Sequence, residues 1–336
     1  LGMTRADIGF ERLMLRHEDS ITLPETFDED LSYLLGLVFG DGDISLDRRD
    51  GSRGTVRIST DDESVLRRAA DVFAAQFDRH VEIERREDRV PCIRVTSATI
   101  ARIFANAGMQ SPNADLRLDP PLTTAAHADA FLRGLMDADG SVSNRKRGGP
   151  SIHLSTISED LARQVQLMLE TYGVRARTRE RDRRGTSEPA DGQTTESNHV
   201  QHFVEIYGAD VDRYAERIGF EVEAKRAALR SIASDGGRRG DTLPVGAALA
   251  QVDGPSGASY QNVHRDDNPG RGRARAMLDN HDLDLGPAEP VVETAVEADL
   301  RWDEVVATTD TGEQEVFDLT VPGTHNFVGN GVVTHN

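Results

Sequence analysis

The chain has 336 residues, enough for two or more domains at about 150 residues each, and carries a formal net charge of -19 from 58 acids against 39 lysines and arginines. Its single cysteine, Cys92, excludes an intramolecular disulfide and a cysteine-based zinc site within one chain. No apolar run nears the roughly 18 residues of a membrane span and no charged-then-apolar leader is present, so the reading is of a chain in a reducing cytoplasm, without membrane contact.

Residues 1–23 read as a lead-in. From Leu31 the segment LSYLLGLVFGDGDIS predicts an apolar helix ending in Asp41-Gly42, with Leu34, Leu35, Leu37 and Val38 at helical spacing and Gly36 and Gly40 on one face. The strand TVRIST follows, then the helix DESVLRRAADVFAAQF, the strands HVEIERRED and CIRVTS, and a short helix ending IFANAGM. From Phe131 the series repeats. FLRGLMDADGSVS ends a helix in Asp139-Gly140 with Gly134 and Ala138 four apart, and SIHLST, SEDLARQVQLMLETYGV, RARTRERD, HFVEIYG and DVDRYAERIGF follow. One αββαββα unit is thus used twice, over 30–109 and 130–229 within a domain of 24–230, and the fold class is α+β with a pseudo-two-fold axis. Small residues four apart let the two apolar helices approach closely.

The helix ends carry chemistry. Gly42 and Gly140 are expected in the left-handed conformation that stops a helix, leaving Asp41 and Asp139 as the last side chains. A carboxylate meets the negative end of the helix dipole there. Two of them side by side make sense around a divalent cation, with Mg²⁺ held by one or two carboxylates, water and phosphate oxygens as the expected occupant. Both acids are therefore metal-ligand and catalytic candidates.

Arginines gather on the predicted strands: Arg57, Arg85, Arg86, Arg89 and Arg94 in the first repeat, then Arg175, Arg177, Arg179, Arg181, Arg183 and Arg184 in the second. Arg175, Arg177, Arg179 and Arg181 alternate, so those four share a face. With Arg57 and Arg94 they are the DNA-binding candidates, some for phosphates and some for base edges. The acidic total does not exclude this, because in molar salt the Debye length is about 3 Å and local clusters decide. Only Lys146 and Lys225 among the basic residues are lysine, a composition similar to that of a halophilic archaeon.

Residues 231–299 are rich in Gly, Asp, Pro and Arg and read either as an acidic linker or as a small DNA-contacting subdomain, with short helical stretches at LPVGAALAQV and RGRARAMLDN. Over 300–336 the pattern returns to strands at RWDEVVATTD, QEVFDLTV and HNFVGNGVVTHN, with a turn at Thr311-Gly312. Asn336 has a side-chain amide able to attack its own main-chain carbonyl, closing a succinimide and breaking the following peptide bond. His335, His325 and Asp318 supply the acid, the base and the field that tunes them.

Two resemblances follow. LLGLVFGDG at 34–42 and LRGLMDADG at 132–140 resemble the LAGLIDADG signature of DOD-type homing endonucleases; the first departs at Phe39-Gly40, where Asp-Ala is usual. The resemblance implies metal-dependent, site-specific double-strand cleavage of DNA by a monomer, with Asp41 and Asp139 as the acids. Lys225 is similar to a recurring family lysine, and equally reads as a solvated helix residue; Arg57 or Arg94 takes that place in the first repeat. Val316 to Asn336 resembles the C-terminal splicing motifs of inteins, implying a partial all-β Hint domain over 300–336 that acts through Asp318, His325, His335 and Asn336. Leu1 is not the Cys or Ser with which inteins begin, so the expectation is a truncated or split intein that works with a missing N-terminal half and flanking exteins. The competing readings are a catalytically inactive DNA-binding protein on the same fold and a fragment of a host replication protein, although no GxxxxGK[ST] phosphate loop occurs.

Overall fold

The computed structural model describes residues 21–47, 53–109, 113–124, 126–145, 149–187, 195–232, 242–252, 268–280 and 282–298. It also describes scattered positions from 300 to 335, including 326–329 and 332–335. Two compact units result, Leu1–Asp235 and Gly236–Asn336.

The first unit is built on α1 (Glu29–Asp41), β1 (Gly42–Leu46), β2 (Gly54–Ser59), α2 (Glu63–Phe77), β3 (Glu84–Arg86), β4 (Arg89–Thr96) and α3 (Ala98–Asn106). The series recurs as α4 (Ala128–Asp139), β5 (Ser141–Arg145), β6 (Gly149–Thr156), α5 (Glu159–Thr171), β7 (Arg177–Asp182), β8 (Gly185–Ser187), β9 (Thr195–Ser197), β10 (Val200–Tyr207), α6 (Ala209–Arg217) and α7 (Glu223–Ser231). The repeat expected from the sequence is present, with a β8–β9 hairpin and α7 added to the second copy. Local signals set the helix starts: Asp28, Asp62, Ser97 and Ser158 each accept from a backbone N–H of the first turn of α1, α2, α3 and α5.

The antiparallel sheets run β1-β2-β4-β3 and β5-β6-β10-β7. Pleat alternation divides their faces. Val56, Ile58, Ile93 and Val95 of the first sheet and Ile152, Leu154, Val204 and Ile206 of the second are buried in one core with α1 and α4. Ile21 and Leu23, at the end of the expected lead-in, pack against that core too.

Helix α1 is buried continuously from Leu31 to Phe39, as a helix apolar on every side must be. Its approach to α4 is a backbone approach. A Cβ on Gly36 would sit 2.1 Å from the Phe131 carbonyl oxygen, and one on Gly134 would sit 2.1 Å from that of Tyr33. Further along, a Cβ on Gly40 would meet the Ala138 Cβ at 2.4 Å. Phe39 and Phe131 pack edge to face with centroids 5.4 Å apart. Phe39, the departure from the signature, thus fills the helix interface.

Three local expectations are corrected. Gly42 and Gly140 are extended, at φ -92° and -73°, because the chain enters β1 and β5 directly. They are glycine for space: a Cβ would lie 2.2 Å from the Val38 oxygen or 2.4 Å from the Met136 oxygen. The strand expected at HVEIERRED shrinks to Glu84–Arg86. Arg85 leaves the arginine face, since it pairs with Glu63 of α2 at 2.7 Å while its strand neighbours point the other way.

The second unit has its own core. α8 (Gly246–Leu249), α9 (Arg271–Leu278) and α10 (Glu289–Glu297) enclose Leu243, Leu249, Ala274, Met277, Leu285, Val292 and Val296, so part of the segment that read as linker or subdomain packs as a folded body. The Arg271 guanidinium donates to the carbonyls of Ala295, Val296 and Ala298 at 2.6–2.9 Å, satisfying the acceptors that α10 leaves open at its C-terminus. The described residues of 300–315 hold no strand, against the expectation for RWDEVVATTD. β11 (Asn326–Gly329) and β12 (Val332–His335) form a two-stranded ladder with Asn326 opposite His335.

Candidate functional site

The close helix packing delivers Asp41 and Asp139 to the same place. A Cβ on Gly40, one residue before Asp41, would lie 3.5 Å from the Asp139 carboxyl carbon. Asp139 titrates at about 6, pushed up first by desolvation and then by the charge of Asp41, with Lys225 pulling it back. By surface area the residue is exposed, so the cause is crowding by protein around an accessible helix tip rather than enclosure. Half-buried Asp41 is raised by desolvation and held down by Lys225 and by a hydrogen bond from the Thr60 side chain.

Lys225, on α7, reaches under the end of α4. Its ammonium donates to the carbonyls of Met136 (3.0 Å), Asp137 (2.5 Å) and Ala138 (3.0 Å). All three of its N–H bonds are thereby directed at main chain, and it neutralises the negative end of the α4 dipole where Asp139 sits. Burial lowers its pKa against the opposing fields of Asp137, Asp41, Asp139 and Asp62. A solvated helix position is excluded by these contacts.

Asp137 is what aligns α7. It is 4% exposed and accepts from Tyr33 Oη at 2.9 Å, from Glu221 N at 2.9 Å and from Val222 N at 3.2 Å. Burial raises its pKa and those donors oppose the rise. The residue before Ala138 in the second signature carried this signal, but its partners lie too far along the chain to be read. Thr60 was also missed, although the tripeptides Ile58-Ser59-Thr60 and Leu154-Ser155-Thr156 repeat.

The outward faces hold the other candidates. Arg57 and Arg94 are cross-strand partners on the first sheet, beside a concavity lined also by Arg86, Arg89, Glu84 and Cys92. Arg94 pairs with Glu84 at 3.5 Å. On the second sheet Arg177, Arg179 and Arg181 stand opposite Glu205, Phe203 and Gln201. Arg179 stacks 4.4 Å from the Phe203 ring centroid and pairs with Glu205 at 3.0 Å. Arg175 precedes the strand, with its N–H bonded to Asp210. Asp318, His325 and Asn336 lie outside the described residues, as does the side chain of His335.

Among the described residues no group of three or more His, Cys, Asp or Glu side chains is arranged to hold a metal. The aspartate pair fits a hard cation that keeps water and substrate oxygens, such as Mg²⁺, better than one needing a full protein cage.

Residues 126–219 match the family model of the LAGLIDADG-like domain, so the chain carries such a domain. The replicative DNA helicase DnaB of Rhodothermus marinus is 32% identical over 227 residues, 61% of this chain and 22% of the helicase. An A-type ATP synthase subunit of Methanopyrus kandleri is 24% identical over 328 residues, 92% of this chain and 30% of that relative. The chain thus spans less than a third of either protein. A structure of mesophilic variants of the homing endonuclease I-DmoI aligns with TM-score 0.42 and 20% identity, over 56% of this chain and 90% of that one.

Proposed function

We propose that this chain is the endonuclease and C-terminal splicing portion of an intein: a site-specific, Mg²⁺-dependent homing endonuclease joined to the segment that releases the C-terminal junction by asparagine cyclisation. The observation that carries the nuclease reading is the meeting of Asp41 and Asp139 at the ends of two packed helices, each helix leading into a sheet whose outer face bears arginines. Mg²⁺ held by these carboxylates supplies charge neutralisation and an activated water for phosphodiester hydrolysis. Lys225 holds the α4 terminus, and so Asp139, in place. Arg57, Arg94, Arg175, Arg177, Arg179 and Arg181 contact duplex DNA across the two sheets, and the protein works as a cytoplasmic monomer.

The intein reading draws on the relatives. A replicative DNA helicase and an ATP synthase subunit serve different processes, yet each resembles this chain over only a part of its own length. A segment shared over a fraction of their length by proteins of different function behaves as an insertion carried by its host rather than as host machinery. The β11–β12 ladder supports the same view: Val328, Val332 and Val333 are 68%, 64% and 50% exposed, and an isolated two-stranded hairpin is marginal in water. An N-terminal splicing segment is the partner that covers it, bringing Asp318, His325, His335 and Asn336 to the junction between intein and extein.

Selection from a randomised duplex library, followed by cleavage of the enriched duplex with Mg²⁺, tests the nuclease. The expected result is a double-strand break that Asp41→Asn and Asp139→Asn each abolish while binding persists. Cutting retained by both variants overturns the assignment. For splicing, Asn336→Ala in a complemented precursor must block release of the C-terminal extein.

A further inference from the structure

When the strands of the two repeats are matched by their pairing, one ion pair recurs with its order reversed. Ser59 of β2 lies opposite Cys92 of β4, and Ser155 of β6, its match in the repeated tripeptide, lies opposite Phe203 of β10. On the edge strands Cys92 faces Glu84 and Phe203 faces Arg179. Two residues further along the inner strands stand Arg94 and Glu205. Each repeat joins the edge residue to that inner one, Glu84 to Arg94 at 3.5 Å and Arg179 to Glu205 at 3.0 Å. The arginine is on the inner strand in the first repeat and on the edge strand in the second, so the two outer faces present different side chains at matched points.

The second arrangement fixes its arginine twice. The Arg179 guanidinium lies 4.4 Å from the centroid of the Phe203 ring, where Cys92 offers the first repeat no ring, and it donates through Nη2 to Glu205. The Glu205 side chain is only 16% exposed against 50% for Arg179, so the acid is the anchor and the arginine the accessible partner. Whichever Nη2 hydrogen the carboxylate takes, one edge of the planar fork keeps two parallel N–H donors. Two such donors match O6 and N7 of guanine, and they match a phosphate as well. Charge separates these targets. Glu205 offsets the guanidinium and repels a phosphate oxygen, whereas the guanine edge is neutral and needs only donors. Arg177 and Arg181, on the same face of β7, have no ion-pair partner among the described residues and keep their full charge for the DNA backbone.

We propose that Arg179 reads a guanine in the half of the target under the second sheet, and that Phe203 and Glu205 are positioning residues that hold it for this contact, while Arg177 and Arg181 grip phosphates. The inference rests on the DNA-binding reading given above. A long side chain ordered before contact loses less freedom when it meets a base, and a guanidinium stacked on a ring and tied to a carboxylate is ordered in this way.

The test starts from duplexes that the full wild-type chain selects out of a randomised library in the presence of EDTA, which prevents cutting. Affinities for the enriched duplex and its single-base variants are then measured across a salt series for wild type, Arg179→Lys, Phe203→Leu, Glu205→Gln and Arg177→Ala, each first checked by thermal melting. Wild type is expected to prefer guanine at one position by about fivefold or more, the discrimination of one bidentate contact. Arg179→Lys, which lacks the fork, loses that preference, and Phe203→Leu and Glu205→Gln weaken it at the same position. Glu205→Gln also binds every duplex more tightly at low salt, because the charge of Arg179 is no longer offset. Arg177→Ala weakens all duplexes alike and keeps the preference. Should Phe203→Leu not fold, Glu205→Gln preserves the side-chain shape and carries the test of positioning. Every guanine preference intact in Arg179→Lys overturns the proposal and leaves DNA binding standing, as does full preference in Glu205→Gln. Failure of wild type to enrich any sequence removes the DNA reading, and this inference with it.

Discussion

Tyr33 of α1 donates its hydroxyl to Asp137 of α4 at 2.9 Å, a buried bond between residues 104 positions apart. It crosses between the repeats, and because Asp137 also accepts from Glu221 and Val222, it ties the helix pair to the segment that delivers Lys225. Removing one end leaves buried groups without partners. Asp137→Ala is expected to cost about 3–5 kcal/mol, the usual consequence of deleting one member of a buried charged network. Tyr33→Phe should cost only about 1 kcal/mol. Urea unfolding of the two variants measures the ratio, and similar losses contradict the network.

The helix interface makes a sharper demand. Gly36→Ala places a Cβ against the Phe131 carbonyl, where the contact is backbone and no side chain can yield. Overpacking typically costs about 1–3 kcal/mol, and here the helices must separate, so a loss at or above that range is expected. Gly149→Ala, at a glycine with φ +73° and no atom within 4 Å of the added carbon, strains only its own turn and should cost less. Paired melting curves compare them.

Lys225→Met keeps the stem and deletes three charged hydrogen bonds to α4. A loss of about 2 kcal/mol is expected. Lys225 also lowers the pKa of Asp139, so the variant's Asp139 should titrate above its wild-type value of about 6. Carbon-13 NMR of the aspartate carboxyls reads this directly. An unmoved Asp139 resonance contradicts the placement of the ammonium.

The raised pKa of Asp139 has a stability consequence of known sign. Between the ordinary carboxylate value of 3.8 and about 6 the folded state holds more protons than the unfolded one, so the metal-free protein loses stability as pH rises through that window and the loss is complete above it. Asp139→Asn escapes the penalty. It is expected to be more stable than wild type at pH 7, by about 1 kcal/mol because solvent screens an exposed carboxylate, with the difference vanishing near pH 4. Chemical denaturation at both pH values checks it.

On DNA, Arg177 and Arg181 have no ion-pair partner among the described residues, whereas Arg179 is paired with Glu205. Arg177→Ala and Arg181→Ala should each lower the slope of log affinity against log salt by about 1, and Arg179→Ala by less. Binding isotherms across a salt series distinguish them.

Much of this was legible. The period of Leu34, Leu35, Leu37 and Val38, the alternation in β7 and the doubled Asp-Gly ends are short-range signals, because helix faces and pleats are set by residues within a few positions of one another. Glycine conformation was misread at Gly42 and Gly140, since the need there is space beside Val38 and Met136 rather than backbone freedom. Arg85 was misplaced because it adjoins Arg86, and the pleat turns consecutive side chains to opposite faces, which brings Arg85 to Glu63.

By itself the sequence determined that two like units exist and that each brings one aspartate to a helix end, since both facts follow from local pattern and repetition. Which groups surround those aspartates was decided only by the tertiary structure. Lys225 under the α4 carbonyls and Asp137 between Tyr33 and Val222 join residues from 85 to 104 positions apart. Buried polar groups take whatever partners packing brings to them, and no local period encodes that choice.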